Sequence, residues 1–136
     1  MNGLGGWFFK TATVYAVAGM IMGAVMAGSG DHGQMVTHAH LMLIGWVSFA
    51  LMGLYYDRYR TIAASLLARV HFWLSQIGLI AMTAGLFGIY GGRPQFDPLA
   101  AVGSIAVLAS MILFAAVVLR GERAAAPASL AATTVE

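Results

Sequence analysis

The sequence predicts an all-α membrane protein, a bundle of four transmembrane helices, and three observations lead there. Of its 136 residues 60% are hydrophobic and only 9% charged, against roughly 25% charged in soluble domains. Mean hydropathy is +0.83. The apolar residues gather into four runs of about 20, each long enough to cross a hydrocarbon core about 30 Å thick, and the charged and turn-forming residues fall between them. A soluble globular domain is excluded, and the length allows a single domain.

The first run extends from Trp7 to Ala27. Its Val25-Met26-Ala27 end is an acceptable signal-peptide cleavage pattern, but the run is read as a span. Gly28-Ser29-Gly30-Asp31-His32-Gly33 then breaks the helix, and a second run covers Met35 to Tyr56. Asp57-Arg58-Tyr59-Arg60 breaks it again before a third run, Val70 to Tyr90, and Gly91-Gly92-Arg93-Pro94 with Asp97-Pro98 precedes the fourth, Leu99 to Leu119. Connectors this short imply antiparallel neighbours in an up-down bundle. Residues 1–123 thus form one four-helix domain, and the small polar tail 124–136 is expected to be disordered and cytoplasmic.

Charge sets the expected orientation. Lys10, Arg58, Arg60, Arg69, Arg120 and Arg123 fall on one side and Arg93 alone on the other. Cytoplasmic segments retain an excess of Lys and Arg, so both termini and the middle loop are expected inside, with the Asp31 and Arg93 loops outside. Seven cations against five acids are too few and too scattered for a nucleic-acid surface. With no cysteine, disulfides, iron–sulfur clusters, thiolate-ligated haem and Cys-based zinc sites are excluded, and any metal must use His, Met or oxygen.

The sharpest local feature is His38-Ala39-His40, two titratable residues inside an apolar run, where they are costly unless they meet a partner or ligand. Positions i and i+2 of a helix lie about 200° apart, so the two imidazoles leave opposite sides. One chain's pair cannot chelate one ion. Either each His serves its own site, or two copies of the chain supply one each to a shared site. The plain alternative is a hydrogen bond from each ring to a carbonyl or hydroxyl on a neighbouring helix.

Imidazole is also the usual axial ligand of haem iron. On the His38 face the helix continues with Met42, Gly45, Phe49 and Met52, and on the His40 face with Leu43, Ile44, Val47 and Leu51. Gly45 leaves room for a bulky ring or marks helix packing. His71, beside Phe72 and Trp73, is expected as an interfacial residue of an aromatic belt, and His32 as a solvated loop residue. Met20, Met22 and Met26 are gap fillers or weak candidate ligands. Gly19-x-x-x-Gly23 is a close-packing motif compatible with oligomerisation. No acid lies inside the four runs, which demotes ion-coupled transport, and no Ser-His-Asp set or nucleotide-binding glycine loop is present.

Taken together, Thr37-His38-Ala39-His40-Leu41, the stretch to Met52-Gly53-Leu54-Tyr55, then Arg69-Val70-His71-Phe72-Trp73-Leu74-Ser75-Gln76-Ile77-Gly78, Gly88-Ile89-Tyr90-Gly91-Gly92-Arg93-Pro94 and Val102-Gly103-Ser104 follow one another in a meaningful order. Over roughly residues 31 to 120 this order resembles the C-terminal four helices of the catalytic subunit I of haem–copper oxidases, and small membrane proteins labelled oxidase subunit I-like. The resemblance implies a membrane haem b protein acting in electron transfer or in redox chemistry with a diatomic gas, O2 or NO.

By the same resemblance His38 and His40 stand at the axial ligands of two haem irons. Arg93 stands, shifted by one, where the family has an Arg pair on the haem propionates, and His71 matches a position that is not a ligand. The family's copper ligands lie on helices this chain lacks, so a copper site has no ligands here and oxygen reduction is not inherited. Subunit I has twelve helices in three four-helix arcs, so three copies of this chain would restore the ring as a homotrimer. A haem-dependent oxidoreductase with an unidentified electron donor, placed in a bacterial inner membrane, is the expectation. A non-catalytic copper or haem carrier, or an assembly partner of a larger oxidase, is the alternative.

Overall fold

In a computed structural model, described for residues 3–132 and with side chains to Arg120, the chain is helical almost throughout. Helix α1 covers Leu4–Ser29. The second span, Met35–Arg58, is composite. It starts as α2 (Met35–His40), continues as a π-helical segment (Leu41–Ser48) and ends as α3 (Phe49–Arg58). A single turn, α4 (Arg60–Ala63), leads to α5 (Leu66–Tyr90), and a 3-10 turn at Pro94–Phe96 leads to α6 (Asp97–Ala132). Four helices are thus long and apolar enough to cross a membrane, as expected, each extending a few residues past the apolar run that announced it. That extension brings Asp57 and Asp97 into the helices, at their ends. The tail from residue 124, expected to be disordered, falls outside the residues whose side chains are described.

The breaks occur where the turn chemistry placed them. Gly30 takes the left-handed conformation at φ 70° and its N–H closes α1 on Met26 O at 3.0 Å, a geometry that glycine adopts without penalty. Asp31 then accepts from the Gly33 N–H at 2.9 Å. Ser65 caps α5, its Oγ accepting from Ala68 N–H at 3.2 Å. Inside the spans most hydroxyls bond back to their own helix, as Thr83 does to Leu79 O and Ser75 to His71 O, because lipid offers no partner.

The bundle is built as two tight hairpins, α1 with the second span and α5 with α6. Lipid removes the hydrophobic drive between helices, so close backbone contact at small residues takes its place. A Cβ on Gly5 would lie 2.7 Å from Gly53 O, and one on Gly78 3.0 Å from the Ala106 Cβ. Gly85 and Gly103 likewise press onto the backbones of Ala100 and Met82. Between the hairpins lies a layer of large side chains: Phe8, Phe49, Tyr56 and Phe72 in the half toward the Arg58 end, Leu79 and Met82 further along.

His71 belongs to that layer, and here the sequence expectation is corrected. It is fully buried rather than interfacial. Its ring is stacked between Phe8 and Phe114, each 5.2 Å away, while Trp73, two residues on, faces outward at 63% exposure. The helix turns about 200° between the two positions, so Trp73 marks the outside, and Phe72 and the histidine the inside.

Candidate functional site

The histidine pair sits at the end of the bundle that carries the Asp31 and Arg93 loops. Residues 35–40 are α-helical, so the divergence of the two rings holds. His38 turns inward to α1, its Nδ1 2.8 Å from Gly19 O. His40 stays on its own helix, its Nδ1 2.8 Å from Val36 O. A carbonyl only accepts, so each bond requires the proton on Nδ1, and in a neutral ring the lone pair is then on Nε2. Among the described residues neither Nε2 has a hydrogen-bond partner.

Gly19 and Gly23 form the seat of His38. A Cβ on Gly23 would approach His38 Cε1 to 3.0 Å, and one on Gly19 would meet Met42 Sδ at 2.5 Å. The Gly19-x-x-x-Gly23 motif is thus a close-packing motif, as read, and what it packs is α1 on the second span of the same chain. Gly45 is likewise accounted for by packing, since Tyr15 Cβ and Leu79 Cδ2 would lie 2.8 and 3.0 Å from a side chain there. It leaves no room for a bulky ring.

Immediately after His40 the helix loosens into the π-helical segment, where Ser48 Oγ reaches back five residues to Leu43 O at 2.8 Å. Such segments cluster at functional sites. No signal in the sequence announced it. The two faces nonetheless separate much as counted. Gly45, Phe49 and Met52 on the His38 side are buried, and Leu43, Val47 and Leu51 on the His40 side are 63%, 43% and 61% exposed. His38, half-buried, packs against α1, and the row of His40, itself half-buried, looks away from it.

Arg93 occupies the loop at the same end, its guanidinium 5.2 Å over the Phe96 ring. Gln34, four residues before His38, ties this end of the second span to α5 through Phe87 O at 3.1 Å. No hydrogen bond or ring contact joins Arg93 to either histidine among the described residues. His32 is exposed, with Nδ1 3.0 Å from Gly30 O, in accord with a solvated loop position. Of the three methionines, Met20 is exposed and Met26 is buried in packing.

A polar cluster that the sequence reading passed over lies between α1 and α5. Tyr15 OH donates to Gln76 Oε1 at 2.8 Å, and Gln76 Nε2 donates to Thr11 Oγ1 at 2.9 Å. The only trace of it in the sequence is a glutamine within an apolar run. Among the described residues no group of three or more His, Cys, Asp or Glu could hold a metal ion. No family model, curated protein or solved structure matches the chain.

Proposed function

We propose that this chain is a membrane haem b protein of the kind its sequence resembles, haem–copper oxidase subunit I, acting in electron transfer or in redox chemistry with a diatomic gas. The observation that supports it most directly is the state of the two rings. Each commits Nδ1–H to a carbonyl at 2.8 Å and offers Nε2 as a free lone pair, the arrangement by which proteins fix the tautomer of a metal-ligating imidazole. These residues fit haem iron, which accepts imidazole nitrogen and needs no charged ligand from the protein. His38 and His40 would hold the iron through Nε2, and Arg93 would serve the propionates. When bound, haem supplies a one-electron iron couple whose potential follows its ligands and surroundings.

The chain's own residues do the rest. Gly19 O and Val36 O orient the imidazoles, Gly23 admits His38 against α1, and the apolar row of Leu43, Val47 and Leu51 keeps water from the His40 side. The two rings leave the helix in different directions and neither is fully buried, a divergence that a head-to-tail contact between copies can use. A closed homotrimer, with His38 of one chain and His40 of the next at each interface, uses every ligand once. Both termini lie on the cytoplasmic side of a bacterial inner membrane in this proposal, by the distribution of Lys and Arg.

The visible spectrum of the purified protein tests it. A tight Soret band with sharp low-spin α bands is expected, lost on His38→Ala or His40→Ala and kept per folded chain on His71→Ala. A colourless protein, or equal loss in all three variants, overturns the ligand assignment.

A further inference from the structure

A groove of about 520 Å³ runs between α1 and α5 at the end of the bundle opposite the histidine pair, bordered by Trp7, Thr11, Tyr15, Arg69, Trp73 and Gln76. Its walls are apolar, but its features are ordered by depth. At the mouth stand Arg69 and the exposed rings of Trp7 and Trp73, 59% and 63% accessible; Lys10, on the adjoining face of α1, lies 5.2 Å over the Trp7 ring at the edge of the groove. Seven residues beyond Arg69, about 10 Å along the helix, comes the hydrogen-bonded trio of Tyr15, Gln76 and Thr11.

We propose that this groove binds one anionic phospholipid from the adjacent leaflet. Its phosphate lies between Arg69 and Lys10, its ester region reaches the trio, and one acyl chain follows the apolar wall. The charges select this occupant. Among the described residues neither Lys10 nor Arg69 has a carboxylate within 4 Å, and the acid at this end, Asp57, is already 3.6 Å from Arg60. A second copy of the chain brings no relief. Among the described side chains its Asp31 and Asp97 lie at the far end, while Lys10, Arg58, Arg60, Arg69 and Arg120 lie at this one. An identical surface meets like charge, whereas basic pockets between spans attract anionic headgroups. The flanking tryptophans match the headgroup level, where such rings settle.

Native mass spectrometry of the full chain in mild detergent, with phosphatidylglycerol or phosphatidylcholine of the same acyl chains added, tests the site. One phosphatidylglycerol per chain is expected to be retained, preferred about tenfold over phosphatidylcholine, and the double variant Lys10→Gln/Arg69→Gln loses roughly 30-fold in retention. Arg58→Gln/Arg60→Gln, which removes two cations from the same end that neither line the groove nor touch its Trp7 ring, leaves retention unchanged. Equal retention of the two lipids, equal loss in the two double variants, displacement by millimolar inorganic phosphate, or a dimer that excludes the lipid each overturns the proposal. Should the groove variant fail to fold by circular dichroism, wild-type tryptophan fluorescence in vesicles decides. Brominated phosphatidylglycerol diluted in unlabelled lipid must quench more than brominated phosphatidylcholine at the same fraction, and equal quenching refutes the site.

Discussion

The hydroxyl of Tyr56 lies 3.0 Å from Nδ1 of His71, with both side chains fully buried, and the other ring nitrogen of His71 has no partner among the described residues. The bond joins the second span to α5 across the aromatic layer, a polar contact between the two hairpins beside the Tyr15–Gln76–Thr11 cluster and the Gln34–Phe87 bond.

An unpaired buried polar group costs about 1–3 kcal/mol, whereas replacing both partners by apolar groups is close to neutral. Tyr56→Phe alone strands both nitrogens of His71 and is expected to lower the thermal unfolding temperature in detergent. Adding His71→Leu, close to it in volume, removes the stranded groups and restores much of the loss. A double variant less stable than Tyr56→Phe would show that the ring contacts with Phe8 and Phe114 outweigh the polar term.

Gly23 gives a way to move His38 without changing it. A Cβ there already comes within 3.0 Å of His38 Cε1, so Gly23→Val pushes the imidazole off Gly19 O. Haem retention is expected to fall about as far as in His38→Ala. Gly19→Ala meets the flexible Met42 side chain, at Sδ and Cγ, with Leu41 Cβ at ordinary contact distance, and should cost about 1–3 kcal/mol, without displacing His38. Absorbance per folded chain distinguishes the two, and equal retention in both would detach Gly23 from the site.

Between α5 and α6 there is no flexible neighbour to yield. A Cβ on Gly85 would lie 2.6 Å from Ala100 Cα and 2.8 Å from its Cβ, so Gly85→Ala forces the hairpin apart and is expected to cost at least about 3 kcal/mol. Gly28 has nothing within 4 Å of such a Cβ and lies in α1, so Gly28→Ala is expected to stabilise by up to about 1 kcal/mol. Thermal unfolding of the two variants measures the contrast.

Arg93→Ala is expected to lower the haem potential and weaken haem retention. Loss of a positive charge at the histidine end favours oxidised iron over reduced iron. Redox titration of the α band checks the sign, and an unchanged or raised potential would separate the Arg93 loop from the cofactor.

Assembly is tested by complementation. Chains carrying His38→Ala and chains carrying His40→Ala are expected to regain some low-spin haem when co-expressed, because a head-to-tail ring brings an intact His38 against an intact His40 at some interfaces. A haem-replete monomer, or no recovery in the mixture, would refute the shared interface.

The number of spans, their approximate ends and the divergence of His38 from His40 were determined by the sequence alone. Each depends on local quantities: run length against bilayer thickness, glycine and proline at the breaks, and the fixed angular step of a helix. Only the tertiary structure decided which apolar face looks at lipid and which at protein. A transmembrane helix is apolar all round, so periodicity carries little of that information. Hence His71 beside Trp73 read as a belt residue and is a core residue, the partner of the close-packing motif Gly19-x-x-x-Gly23 is the second span with His38 seated on it, and of the two readings of Gly45, room for a ring or helix packing, it is packing against Tyr15 and Leu79 that holds. The Tyr15–Gln76–Thr11 cluster joins residues more than sixty positions apart. Such a contact exists only once α1 and α5 lie side by side.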